Sequence, residues 1–123
     1  MSAFTLKRID ELPSILHGAV KLAGDDLGVA AFGLQVLDLP PGFADYPEHD
    51  HAEDGQEEVY LVVDGSAEFT VDGETMDAGS GSLLRVAPGA RRNVMPGAKG
   101  VRIVAIGGVP GAYERPDGFR VQS

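Results

Sequence analysis

A chain of 123 residues, 43% of them hydrophobic, suits one domain with a core of its own. It contains no cysteine, which excludes disulfides, thiolate metal sites and a thiol nucleophile, so a bound metal would need imidazole, carboxylate or amide ligands. With 10 basic against 19 acidic residues the net charge is -9, which repels a phosphate backbone, and no apolar run approaches the ~18 residues of a membrane span; a soluble cytoplasmic protein with no nucleic-acid or membrane partner is expected.

The opening MSAFTLKRIDEL lacks the apolar run of a secretion leader. Residues 1–26 read as an N-terminal arm in which only IDELPSILHG has helix-like spacing, enough for one helical turn, with His17 a cap or surface group. Beyond it, 17 glycines, 8 prolines and Asp-Gly pairs beginning at 54, 64, 72 and 117 recur at the interval that short strands require. From Leu27 to Leu39 the alternation places Phe32, Leu34 and Val36 on one face and Gly33, Gln35 and Leu37 on the other, until Pro40-Pro41-Gly42 ends the strand. QEEVYLVV, residues 56–63, is the most β-prone stretch; residues 66–71 are expected to pair back on it across Asp64-Gly65, and Asp72-Gly73 to form the next tight hairpin. Strands at 82–87, 91–95 and 101–106 are expected to follow, divided by Pro88-Gly89 and Pro96-Gly97. The whole predicts an all-β fold, a small antiparallel β-barrel or jelly roll over residues 27–107, with 108–123 an extended tail lying on the surface or on a partner subunit.

The chemistry concentrates in EHDHAEDGQEEVYLVVDG, residues 48–65. Side chains at i and i+2 of an extended strand share a side, so His49 and His51 can aim two imidazoles at one point while Asp50 faces away. The same parity groups Gln56, Glu58, Tyr60 and Val62 on one face of the next strand and Glu57, Val59, Leu61 and Val63 on the other. Asp50, Glu53 and Asp54 read as a solvated acidic loop, bystanders to the histidines, and Tyr46 and Tyr60 as lumen, rim or packing groups. GGVPG at 107–111 is followed by no helix and lacks a lysine in the phosphate-loop position, which argues against a nucleotide site.

These residues resemble the cupin superfamily, and the resemblance covers most of the chain. Gly42 to Gly65 is similar to the first cupin motif, G-x5-H-x-H-x3,4-E-x6-G, in which six residues separate Glu58, rather than Glu57, from the closing glycine. Gly81 to Pro96 is similar to the second, G-x5-P-x-G-x2-H-x3-N, fifteen residues further on. The resemblance implies a small single-domain barrel with a metal held inside by His49, His51 and Glu58. Two departures stand out. The loop between His51 and Glu58 has six residues rather than three or four, and in GSLLRVAPGARRNVMP Ala87, Arg92 and Pro96 replace the proline, the third histidine and the asparagine.

A guanidinium stays protonated and cannot bind a cation, so Arg92 has another role. Three arrangements are open: Arg92 binds an anionic substrate group beside a metal held by His49, His51 and Glu58; it pairs with Glu58 in a closed, metal-free pocket; or it turns outward beside Arg91. Two imidazoles and a carboxylate suit iron or manganese with open positions, and nickel, copper or zinc are also compatible; Gln56 could add an oxygen ligand. Tyr60 and Gln35 join Arg92 as candidate ligand contacts. The expected function is that of a metal-binding cupin acting on a small anionic metabolite by dioxygenase-like or isomerase-like chemistry; the alternative is a non-catalytic cupin that binds or senses a small ligand, with a structural metal or none. With Glu58 inward, Val59, Leu61 and Val63 form an outward apolar stripe, which predicts a homodimer; the alternative is cover by the N-terminal strands within one chain.

Overall fold

In the computed structural model, residues 3–122 are described; the first two residues of the arm and Ser123 lie outside this range. Seven strands form one antiparallel sheet: β1 (Ser14–Ile15), β2 (Val20–Lys21), β3 (Gly33–Leu39), β4 (Glu57–Val71), β5 (Glu74–Gly79), β6 (Leu83–Val86) and β7 (Arg92–Gly108). Their order is β1-β2-β3-β7-β4-β5, with β6 also paired to β4. The long β4–β7 ladder is the spine, and the sheet curls along it so that residues from both halves of each strand meet in one core.

The sequence divides β4 and β7 where the structure does not. Asp64-Gly65 was expected to reverse the chain, yet β4 runs through it, with register irregularities between Val62 and Asp64 and between Gly65 and Ala67. The glycine is used for a bulge rather than a hairpin: its φ is 77°, and a Cβ there would collide with the carbonyl oxygen of Gly100 on β7. Pro96-Gly97 likewise lies within β7, with Pro96 opposite Ala67 beside the same irregularity, a position that tolerates a residue with no N–H. The Asp72-Gly73 hairpin forms as expected, with φ of 48° and 83° at its two central residues and Val71 opposite Glu74. Strand β3 begins at Gly33 rather than Leu27, because Ala23–Leu27 form a five-residue helix, α1. In the segment given helical spacing there is a 3-10 turn at Ile9–Glu11.

Burial follows strand parity. Tyr60 and Val62 of β4, Leu37 and Leu39 of β3, Ile103 and Ala105 of β7, and Phe69, Val86 and Val94 fill the barrel. The arm supplies a second, smaller cluster outside it, where Leu12, Ala23 and partly buried Ile9 cover Val36, Leu34 and Val104. This cover is incomplete: Phe32, Val63, Leu83 and Ile106 remain exposed on the outer face. Among the described residues after Gly108, the tail carries a 3-10 turn at Asp117–Phe119, and its Val109, Tyr113 and Phe119 are exposed. Among the described residues no helix is long and apolar enough to cross a membrane.

Candidate metal centre

The two histidines approach the barrel on an extended segment clipped to the start of β7. His49 and Arg92 exchange both backbone hydrogen bonds, at 3.0 and 2.8 Å, and the His51 N–H donates to the carbonyl of Pro88 at 2.7 Å. The alternation expected of a strand therefore holds here, although only His49 makes a ladder pair, and the two rings lie 5.1 Å apart at 86°. Glu58 reaches the same point from β4, where its register partners are Gly107 and Val86.

One ligand atom each from His49, His51 and Glu58 can be chosen so that all lie within 4.8 Å of one another. Glu58 Oε1 is 3.2 Å from His51 Nε2 and 3.9 Å from His49 Nε2. Three ligands about 2.1 Å from a common ion subtend edges of about 3.0–3.4 Å, so the His51–Glu58 edge already fits, the His49–Glu58 edge needs a closure of about 0.5 Å, and the histidine–histidine edge starts within 4.8 Å. The tautomers fit as well. His49 Nδ1 lies 3.0 Å from the Pro47 carbonyl, an acceptor only, so this nitrogen donates and Nε2 keeps its lone pair. His51 Nδ1 lies 3.1 Å from both oxygens of Asp54, which leaves His51 Nε2 facing Glu58 as a buried atom without a hydrogen-bond partner.

Asp54 was read as a bystander, and its contact corrects that reading. The hydrogen bond from His51, followed by one from the Gln56 backbone, holds its carboxyl below the usual range, as in carboxylate–histidine–metal relays. The enlarged loop makes this contact possible: it turns back at Gly55, whose N–H donates to the His51 carbonyl at 2.8 Å, bringing the residue three positions on beneath the ring. That i+3 relation, followed by glycine, was the available signal. Asp50 does face away, accepting the Ala52 N–H at 3.0 Å and pairing loosely with Arg91 at 3.8 Å.

Tyr60 is buried and donates its hydroxyl to Glu58 Oε1 at 2.6 Å, a charge-assisted bond that orients the carboxylate. Burial pushes its phenol well above the ordinary value, aided by the neighbouring Tyr46 and by Glu58. Tyr46 packs edge-on against His49 at 5.8 Å; burial first, then the Glu58 charge, raises its hydroxyl to about 12. Gln56 lies beside the cluster at the mouth: its amide nitrogen donates to Asp54 at 3.2 Å and its oxygen rests over Gly33 and Gly107. Gln35 has the lumen parity of Leu37 but is exposed at the open end of β3, opposite Ala105.

Arg92 points inward, which removes the outward arrangement. It is 1% exposed; Nη1 donates to the Ala90 carbonyl at 2.7 Å, Nη2 lies 3.5 Å from Glu58 Oε1, and neither Nε nor Nη2 has a hydrogen-bond partner. The guanidinium thus stands beside the ligand set where a third imidazole is missing, and its charge opposes that of Glu58.

Residues 35–107 match the family model Cupin_2, a cupin domain. Among solved structures, a cupin protein from Bacteroides fragilis is 22% identical with a TM-score of 0.77, the match covering 100% of this chain and 99% of that one. A sugar phosphate isomerase of the cupin superfamily from Silicibacter pomeroyi is 20% identical with a TM-score of 0.66, over 85% of this chain and 75% of that one. The Cupin_2 domain of an XRE family transcriptional regulator from Enterobacter cloacae is 22% identical with a TM-score of 0.57, over 65% and 83%. At these identities the likeness carries the fold alone. No curated protein sequence matches the chain.

Proposed function

We propose that this chain, which belongs to the Cupin_2 family, binds a divalent transition metal, iron or manganese by preference, through His49, His51 and Glu58, and acts with it on a small anionic metabolite. The observation that carries this reading is the convergence of two correctly tautomerised imidazoles and one carboxylate on a point where buried His51 Nε2 has no other partner. A metal there supplies Lewis acidity, with coordination positions left over for a substrate. The chain's own residues do the rest: Asp54 and Pro47 set the tautomers, Tyr60 turns Glu58, and Arg92 offers positive charge to a ligand's anionic group.

Isomerase-like chemistry would suit a Lewis-acidic metal with open positions, and dioxygenase-like chemistry the two-histidine, one-carboxylate donor set. Oxygen uptake and carbonyl migration, assayed with the iron- and manganese-loaded protein on a panel of small organic acids and sugar derivatives, separate the two. Turnover in neither assay favours the second reading, a cupin that binds or senses a small ligand without transforming it. One observation supports that alternative: Arg92 already opposes the Glu58 charge at 3.5 Å with no metal required. In either case we propose a homodimer that covers the outer face of the sheet, where Val63 and Leu83 are 45% and 71% exposed.

A further inference from the structure

Burying a guanidinium with two of its donor atoms unpaired is costly, and such a group ordinarily has an acceptor in the working state of the protein. Arg92 is in that condition. Its backbone and Nη1 are satisfied by His49 and Ala90, while Nε and Nη2, the two nitrogens of one planar edge, have no hydrogen bond. Glu58 does not fill the edge: it approaches Nη2 alone, at 3.5 Å, and its Oε1 already accepts from Tyr60. The chain shows what a filled edge looks like. Arg102 donates from the same pair of atoms to both oxygens of Asp38, at 2.7 and 2.9 Å.

We infer that the Nε–Nη2 edge of Arg92 anchors the carboxylate of a small monocarboxylate ligand, presented to the same point as His49, His51 and Glu58. The inference deepens the anion-binding role assigned to Arg92 above and does not depend on a metal. The chemical class follows from the donors. A planar fork of two parallel N–H groups matches the two coplanar oxygens of a carboxylate. A tetrahedral dianion needs more donors, and two near the edge are already engaged, the Tyr60 phenol with Glu58 and Arg92 Nη1 with the Ala90 carbonyl. The remaining oxygens of a phosphate would face the Glu58 carboxylate. Size is limited by depth, because the edge is buried and the His49 side chain, at 28% exposure, is the more open member of the group.

The test uses full-length protein stripped of metal with a chelator, with the Arg92 Nε–H resonance followed by NMR during titration with acetate and glycolate. Acetamide and inorganic phosphate serve as the neutral and tetrahedral controls. Saturable movement of that resonance by both acids, none by acetamide and about tenfold weaker binding of phosphate are expected. Arg92→Lys, which keeps the charge and loses the fork, should weaken acetate about tenfold. If that variant does not fold, the wild-type resonance still decides. An unmoved resonance, an equal response to acetamide, or tighter binding of phosphate overturns the inference. Because no metal is present, a positive result stands even if the protein proves unable to bind one, and a negative result leaves the metal reading intact.

Discussion

Asp54 and Pro47 decide which nitrogen each imidazole offers, and so how well the pair can chelate. Asp54→Ala leaves His51 free to rotate and to change tautomer; manganese affinity, measured by calorimetry, should fall about tenfold or more, and an unchanged affinity would show that the Asp54 contact is incidental. Tyr46 gives a pH signature. Its folded-state pKa of about 12 lies above the ordinary phenol value of 10.0, so the stability gained by keeping the phenol neutral is complete below pH 10 and lost as pH rises through about 12. Denaturant midpoints measured across this window should fall less steeply in Tyr46→Phe; parallel curves for the two proteins would contradict the assignment. His49 and His51 were legible from strand parity, and Glu58 from the resemblance to the cupin motif, because parity alone did not say which face of β4 meets the histidines. The direction of Arg92 was not, since it opens β7 in a two-arginine run where parity has no earlier residue to count from.

Strands β4 and β7 bring the site together because they remain unbroken through their bulges. Gly65→Ala meets both an unfavourable φ and the Gly100 carbonyl, and thermal denaturation should register a loss of about 3 kcal/mol or more. Wild-type stability would show that the bulge relaxes freely. Gly107 has a different role: a Cβ there would lie 2.6 Å from Gln56 Oε1 and 3.3 Å from Glu58 Cγ, both side-chain atoms. Gly107→Ala should therefore shift Glu58 and weaken metal binding by about tenfold while costing less than about 1 kcal/mol of stability; equal loss of both, or of neither, would contradict this. The existence and parity of these strands were readable from their alternation. Their continuity was not, because a glycine with positive φ serves a hairpin and a bulge alike, and only the facing strand distinguishes them. Asp72-Gly73, with no other strand crossing it, was read correctly as a turn.

For the molecule as a whole, one end of the barrel gathers the chemistry and one face of the sheet is left apolar. A groove of about 1040 Å³ runs between the tail and that face, with Phe32, Val59, Ile106 and Tyr113 among its lining residues. Burial of the apolar outer face around exposed Val63 and Leu83 against a second copy predicts a dimer in sedimentation, converted to monomer by Val63→Lys combined with Leu83→Lys; a wild-type monomer at all concentrations would rule the interface out. The apolar stripe was legible from Val59, Leu61 and Val63; the packing of Leu12, Ile9 and Ala23 against Val36, Leu34 and Val104 of β3 and β7 was not, since the arm has little periodicity of its own. The proposed metal chemistry turns on whether the chain holds a metal with an arginine where a third imidazole was expected. The direct measurement is metal content after reconstitution with iron or manganese and removal of excess, in wild type and in His49→Ala. About one ion per chain is expected in wild type and little in the variant; no retained metal in wild type, or equal retention in both, would contradict a site built on His49, His51 and Glu58.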